Sequence, residues 1–149
     1  MKSKVIYLLT LLLVVITGCV KSYRDPAFDP NNLGYPLGTF TGEFARIHKN
    51  RMTYKYDTTR AVLKLVLSTN TGFAVTGDTT TAHAGSYGSF SEDFVNMSFD
   101  DVTYPVKYSA KKTHLSGFYT YIYDGTLLKI SSGGTTDTLR CIYTLKKIN

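Results

Sequence analysis

Apolar and polar residues alternate along most of the chain beyond Leu37. In the run GTFTGEF, Phe40, Gly42 and Phe44 share one face, and polar residues occupy the other. The runs AVLKLVLS and LRCIYTLKKI repeat this period of two, which is typical of a strand with one buried face. Threonine and tyrosine, which favour strands, are frequent, and no long window has helical periodicity. The pattern predicts one all-β domain over residues 37–149.

Turn signals divide this domain at short intervals. The clearest is Asp124-Gly125 between two β-rich runs, a pair that suits a two-residue type I′ hairpin. The predicted strands cover residues 38–48, 60–68, 72–77, 83–90, 94–100, 113–123, 126–131 and 136–147. Regular short strands predict a single antiparallel, up-and-down β-barrel of eight strands, with a β-sandwich as the alternative. Closure is favoured because it removes exposed sheet edges. Residues 101–113 are left open between a lid and an additional strand.

An uncharged apolar run occupies residues 5–16, directly behind Lys2 and Lys4. As a helix with a rise of ~1.5 Å per residue, this run would span about 18 Å, well short of the ~30 Å hydrocarbon core of a bilayer. A short apolar run behind positive charge is typical of a secretory signal peptide. We therefore assign residues 1–18 to a signal peptide.

The end of this run, Ile16-Thr17-Gly18-Cys19, resembles the lipobox of bacterial lipoproteins, in which small residues precede an essential cysteine. The resemblance implies that Cys19 becomes the first residue of the mature chain and carries a diacylglycerol, so that membrane lipid is a partner. Two or more acyl chains hold a protein firmly on a bilayer, whereas one chain does so only marginally.

Residues 19–36 follow as the lipidated cysteine and a flexible tether that contains three of the four prolines. Val20, not aspartate, follows Cys19. By resemblance to lipoprotein sorting in enteric bacteria, this implies anchorage in the outer membrane, facing the periplasm. Acylation of Cys19 leaves Cys141 without a partner in the chain, so we expect Cys141 to be a small buried hydrophobe; an intermolecular bridge is the alternative.

The domain itself resembles the small lipocalin-like bacterial lipoproteins, which carry an eight-stranded calycin-type barrel behind a lipobox and a tether. The resemblance rests on GTFTGEF, AGSYGSFSEDFVNMSF, LSGFYTYIYDGTLLKI and the terminal YTLKK. It implies a barrel whose interior or mouth takes a small apolar or amphipathic molecule.

Catalytic and metal-binding motifs are not evident in the chain. His48, His83 and His114 are widely spaced, and none has a close ligand pair, so we expect neither a metal nor a cofactor. The acidic pairs Glu92-Asp93 and Asp100-Asp101 fall in predicted turns, where solvated carboxylates are ordinary. We therefore expect a protein that is not an enzyme.

A basic stretch runs through the first predicted hairpin. Its cations are Arg46, Lys49, Arg51, Lys55, Arg60 and Lys64, against Asp57 alone. It is either a solvated face or a surface that contacts anionic head groups or an acidic partner, since each cation near a charged surface adds about 1 kcal/mol. The formal charge of +6 is a modest excess, and with an exported location it argues against nucleic acid as a partner.

Aromatic residues provide the other candidate site. The predicted ligand-binding residues, all on inward phases, are Phe44, Tyr87, Met97, Tyr119, Tyr121 and Tyr143. The phase of the strand at 113–123 is ambiguous, because Phe118 and Ile122 are also apolar and a shift of one residue exchanges the faces. An eight-stranded barrel is either filled by side chains or wide enough for one small ligand. Two functions follow: non-catalytic binding of a small apolar or amphipathic ligand, or a filled barrel that is an interaction module for an envelope protein or an anionic surface.

Overall fold

A computed structural model describes residues 34–104, 112–134 and 137–148. Its strands are β1 (Gly38–Lys49), β2 (Tyr56–Ser68), β3 (Gly72–Gly77), β4 (Ser86–Glu92), β5 (Asn96–Asp101), β6 (Gly117–Tyr123), β7 (Leu127–Ser132) and β8 (Leu139–Lys147). Each strand pairs antiparallel with the next, and β8 pairs with β1, which closes an up-and-down barrel. The predicted barrel is confirmed, and the sandwich alternative is wrong. Within the described ranges, no helix is long and apolar enough to cross a membrane.

The alternation of the longest strands determines which face is buried. Phe40 on β1 is paired with Leu65 on β2, and Phe44 is paired with Tyr143 on β8. All four side chains are almost completely buried, as the spacing of Phe40 and Phe44 by four residues along β1 predicts for that strand. The inward phases predicted for β1, β2 and β8 are confirmed, and Cys141 is a buried thiol, as expected.

The neighbouring strands show which face of β6 points into the barrel. Tyr119 is paired with Met97 of β5, and both are buried, whereas Phe118 and Ile122 are exposed on the outer wall. The strand begins at Gly117, later than predicted, because Thr113 leaves the barrel wall and forms a parallel bridge with His83. Of the segment 101–113, residues 105–111 lie outside the described residues.

The barrel has two ends that carry different segments. At the lower end the chain passes from residues 34–37 into β1, and the hairpins at 69–71, 93–95 and 124–126 lie at the same end. At the upper end lie the β1–β2 hairpin at 50–55 and the segments 78–85 and 112–116. Backbone hydrogen bonds join these two segments, from Ala84 N to Thr113 O (2.9 Å) and from Thr113 N to Ala82 O (2.9 Å). They therefore cross the upper end of the barrel together.

Candidate functional site

Four of the predicted ligand-binding residues lie inside the barrel and contact one another. The ring of Phe44 lies 4.7 Å from that of Tyr143, centroid to centroid, and Tyr119 lies 6.0 Å from Tyr143. Met97 is fully buried beside them. The largest fully buried side chains of the described residues are Phe40, Phe44, Leu63, Leu65, Leu67, Phe73, Met97, Leu115, Leu128, Ile130, Tyr143 and Leu145. These side chains are the packed core of the barrel.

Tyr121 lies half-buried near the lower end of the same interior. Its hydroxyl donates to the carbonyl oxygen of Asp93 at 2.8 Å, which ties β6 to the β4–β5 hairpin. Burial raises the pKa of this phenol, and the nearby Glu92 and Asp93 carboxylates raise it further. The hydroxyl of Tyr121 is thus satisfied by the protein itself, as a packed tyrosine requires.

Tyr87 was predicted to point inward, and that prediction is wrong: its side chain is 56% exposed on the outer wall. In the β3–β4 register, Ala74 is paired with Tyr87, while the buried Phe73 and Val75 are paired with Gly88 and Ser86. The two inward positions beside Tyr87 thus hold small residues, Ser86 and Gly88. A side chain at position 88 would collide with the backbone oxygen of Asp100, so the large residue takes the outward position.

Tyr87 instead borders a cleft of about 910 Å³ on the outer wall. Val66, Ala74 and Val102 supply further apolar lining, and the β2–β3 hairpin and Ser89 supply polar groups. The cleft forms where β3 and β4 part: they pair only over 73–75 and 86–88, although β4 continues to Glu92. Drug-sized ligand pockets have volumes of about 300–1,000 Å³, so this cleft is large enough for a small ligand.

A chain of buried polar groups, which the sequence did not reveal, lies above the core. Gly85 N donates to His83 Nδ1 (3.0 Å), so the proton of the neutral ring lies on Nε2, which donates to the Tyr143 hydroxyl at 3.1 Å. The ring of Tyr119 packs edge-on against that of Tyr143, and the Tyr119 hydroxyl donates to the carbonyl oxygen of His114 (3.4 Å). Burial lowers the pKa of His83 to about 4 and raises that of Tyr119 to about 12.

A buried carboxylate holds the second segment that crosses the upper end. Asp101 accepts hydrogen bonds from Thr103 N (2.8 Å), Thr103 Oγ1 (2.7 Å) and His114 Nδ1 (2.6 Å). Burial opposes ionisation of Asp101, but these hydrogen bonds outweigh it and lower the pKa below the usual value. The prediction that Asp101 is solvated in a turn is wrong, because β5 extends to this residue and its phase is inward, like those of Met97 and Phe99.

The buried polar groups at the upper end connect parts of the fold to one another. The His83 imidazole is hydrogen-bonded to Gly85 and Tyr143, and burial raises the pKa of the Cys141 thiol, which keeps it protonated. In the described part of the chain, no three histidine, cysteine or acidic side chains come together as a metal site would require. The network joins the crossing segments to the core.

The basic stretch divides into three environments. Arg46 lies half-buried at an inward position opposite Cys141, so the prediction that it is part of a charged outer face is wrong. Arg60 forms an ion pair with Glu43 on the wall, and Lys64 lies exposed further along β2. Lys49, Arg51 and Lys55 lie at or beside the β1–β2 hairpin. Three of the six cations of the basic stretch are therefore grouped at the hairpin. We call this patch the basic tip and define it as residues 49–56.

The basic tip has a defined conformation. Asn50 Oδ1 accepts from Met52 N (2.9 Å) and Thr53 N (3.0 Å), and Asn50 N donates to Lys55 O (2.9 Å). Tyr54 has a φ of 56°, in the left-handed region, which reverses the chain. Lys49 Nζ lies 5.7 Å from the ring centroid of Tyr54 and 5.6 Å from that of Tyr56. The tip thus presents cations, two tyrosine rings and an almost fully exposed Met52.

The residues of the predicted signal peptide, Cys19 and most of the tether lie outside the described residues. Comparisons of the chain with protein-family models, with curated proteins and with solved structures find no match.

Proposed function

We propose that this protein is a lipid-anchored, non-catalytic module of the bacterial cell envelope, held in the outer membrane by acylated Cys19. Its barrel is a filled support, and its basic tip contacts a negatively charged surface. The observation that carries this proposal is the tip itself, in which cations and exposed aromatic rings are held together on a structured hairpin.

The packed interior supports the interaction module over the carrier of a ligand in the barrel mouth. Phe44, Met97, Tyr119 and Tyr143 are buried against one another, and the hydroxyls of Tyr119 and Tyr121 are bonded within the protein. A ligand at these residues would have to displace core side chains, which costs several kcal/mol for a single large residue.

The composition of the tip supports a charged partner. Arginine and tyrosine are enriched where interfaces bury their strongest contacts, and exposed methionine adapts to irregular surfaces. Because Arg60 is already paired with Glu43, the attraction to an anionic surface is concentrated in Lys49, Arg51 and Lys55.

Reversing two charges tests this function. For the chain from residue 20 onward, Arg51→Glu with Lys55→Glu is expected to weaken binding to vesicles of phosphatidylglycerol and phosphatidylcholine at least about tenfold, since each cation contributes about 1 kcal/mol. Co-sedimentation at low salt measures the affinity, and binding of the wild type should decline as salt is raised.

The matched control makes the same change in net charge elsewhere. It carries Lys129→Glu and Lys146→Glu, at two exposed lysines on β7 and β8. This variant is expected to retain most of the vesicle binding. Equal losses in both variants would show that net charge, and not the basic tip, attracts the surface, and the proposed role of the tip would be abandoned.

A second function is favoured by the cleft beside Tyr87, which fits a small amphipathic ligand outside the barrel. An exposed aromatic ring, three aliphatic side chains and a polar hairpin are the mixture that such ligands require. In this second proposal the ligand binds on the outer wall rather than in the barrel mouth.

Tyr87→Ala is expected to remove ligand binding at the cleft without unfolding the barrel, because the side chain is largely exposed. Native mass spectrometry of the protein, after incubation with an envelope lipid extract, would detect a discrete added mass in the wild type that is lost in the variant. Phe118→Ala, an exposed aromatic on β6, is the control. No added mass in any of the three proteins would reject this second function.

A further inference from the structure

Exposed apolar side chains gather at the lower end of the barrel. Phe94 (72% exposed) and Val95 (59%) form the tip of the β4–β5 hairpin, and Tyr35 and Ile148 lie where the described chain enters and leaves the barrel. Hairpin tips normally carry small polar residues, so two large, exposed apolar residues make this tip an apolar surface. The lower end therefore has an apolar rim, which we define as Tyr35, Phe94, Val95 and Ile148.

The chain itself indicates what this rim meets. Fourteen residues, 20–33, separate Cys19 from Gly34, where the described chain begins at the lower end. In the proposed function these residues are the tether, and a tether of this length has a root-mean-square reach of roughly 20 Å. A lipid on Cys19 therefore keeps the bilayer close to the apolar rim, at a high effective concentration, so that a few apolar contacts suffice to orient the barrel.

Charges of both signs border the rim, because the hairpins at the lower end carry Asp93 and Asp124 and β8 ends there with Lys146 and Lys147. Asp93 accepts hydrogen bonds from Val95 N (2.9 Å) and Asn96 N (2.6 Å), and Asp124 accepts them from Thr126 N and Leu127 N in the neighbouring hairpin. These bonds lower the pKa of both carboxyl groups, so both remain ionised and offset the two lysines. A border of mixed charge suits a neutral lipid surface. The opposite end of the barrel carries the basic tip.

We propose that the apolar rim rests on the bilayer that holds the lipid of Cys19, with Phe94 and Val95 at the boundary between head groups and acyl chains, and that the basic tip points away from this membrane. The inference rests on the lipid anchor of the proposed function. It also narrows the partner of the tip to a negatively charged component other than the membrane in which the protein is anchored. The barrel then connects that component to the membrane.

Single tryptophans test this orientation, since the natural chain has none. Phe94→Trp reports on the rim and Met52→Trp on the tip, both at exposed positions. The acylated full-length proteins are placed in phosphatidylcholine vesicles with bromine on the upper acyl chain, which quenches nearby tryptophan. We expect Phe94→Trp to lose most of its emission and Met52→Trp to retain it. Quenching of Met52→Trp alone, or of neither variant, would overturn the proposal.

Two further variants separate this inference from the anchor on which it rests. Val95→Asp, added to Phe94→Trp, is expected to relieve the quenching while the protein still floats with the vesicles; Val62→Asp, at a valine of similar exposure on the wall (65%), is expected to change neither. Cys19→Ala should abolish flotation. If Cys19→Ala floats like the wild type, the lipid anchor fails; if the wild type floats through Cys19 but the quenching is unaffected by Val95→Asp, only the orientation fails.

Discussion

Replacing Phe44 with alanine is expected to lower the free energy of unfolding by about 3–5 kcal/mol, the range found for deleting a buried phenylalanine ring. Phe44 is fully buried, 4.7 Å from the ring of Tyr143 and 5.1 Å from that of His83, centroid to centroid. Removal of the Phe44 ring leaves a cavity between the apolar core and the buried polar groups above it. Because small domains are stable by only about 5–15 kcal/mol, this is a large fraction of the total. Urea denaturation followed by circular dichroism measures it.

Phe118→Ala is the control for this loss, because it deletes the same side chain from the outer wall, where 81% of it is exposed. It is expected to change the free energy of unfolding by no more than about 0.5 kcal/mol. If Phe44→Ala were as mild as Phe118→Ala, the interior would not be a packed core at this position, and a barrel with room for a ligand would again be the better interpretation.

The fold was predictable because its strongest signals are local. The alternation of β1, β2 and β8 runs over nine to thirteen residues, and each strand buries the face that its own pattern marks. Turn residues then limit the connections to short hairpins, and eight such strands favour closure. The choice between barrel and sandwich stayed open in the sequence, because closure depends on the pairing of β1 with β8, which are distant in the chain.

Tyr87 shows where this local signal fails. In AGSYGSF, Tyr87 and Phe90 are the large apolar residues, and they have opposite phases, so one of them has to point outward. The choice is made by β3 and β5: Phe73 and Val75 bury the small residues of β4, and the backbone of β5 leaves no room for a side chain at position 88. The phase of a strand rich in small residues is thus determined by its neighbours.

The cluster of buried polar residues could not be predicted from the sequence, for a different reason. His83 meets Tyr143 across sixty positions of sequence, and Asp101 meets His114 across thirteen. Each residue alone is an ordinary histidine or acid in a loop. Only the passage of two segments over the upper end brings them into contact, and burial then requires that each polar group find a partner.

The arrangement of the cations could not be predicted either, because it also depends on which strands are paired. The sequence shows six cations in one stretch, but strand pairing places Arg46 against the inward Cys141 and Arg60 beside Glu43. Only the hairpin keeps its cations together at one end of the barrel. The basic tip could therefore be predicted as a region of the sequence, but not as its particular set of residues.

Acid is expected to destabilise the barrel in two separable steps. Burial lowers the pKa of His83 to about 4, so between pH 6.5 and 4 the unfolded chain binds a proton that the folded protein does not. Stability therefore rises with pH across this window, and by linkage up to about 3 kcal/mol is lost as pH falls through it. Asp101 adds a second loss below its ordinary pKa of 3.8, because its folded pKa is lowered by hydrogen bonds despite burial. Urea denaturation at pH 7, 5.5 and 4.5 measures the first step.

His83→Gln isolates the first step from other groups, such as Glu92, whose pKa is raised by burial and which acts in the opposite direction. This variant loses stability at every pH, since it disturbs the bond to Tyr143, but its free energy of unfolding should vary much less between pH 7 and 4.5 than that of the wild type. His48→Gln, at an exposed histidine, should keep the full slope. An unchanged slope in His83→Gln would mean that His83 is not the titrating group. The expected result would instead identify His83, which hydrogen-bonds to Tyr143 of the core, as the group through which mild acid destabilises the barrel.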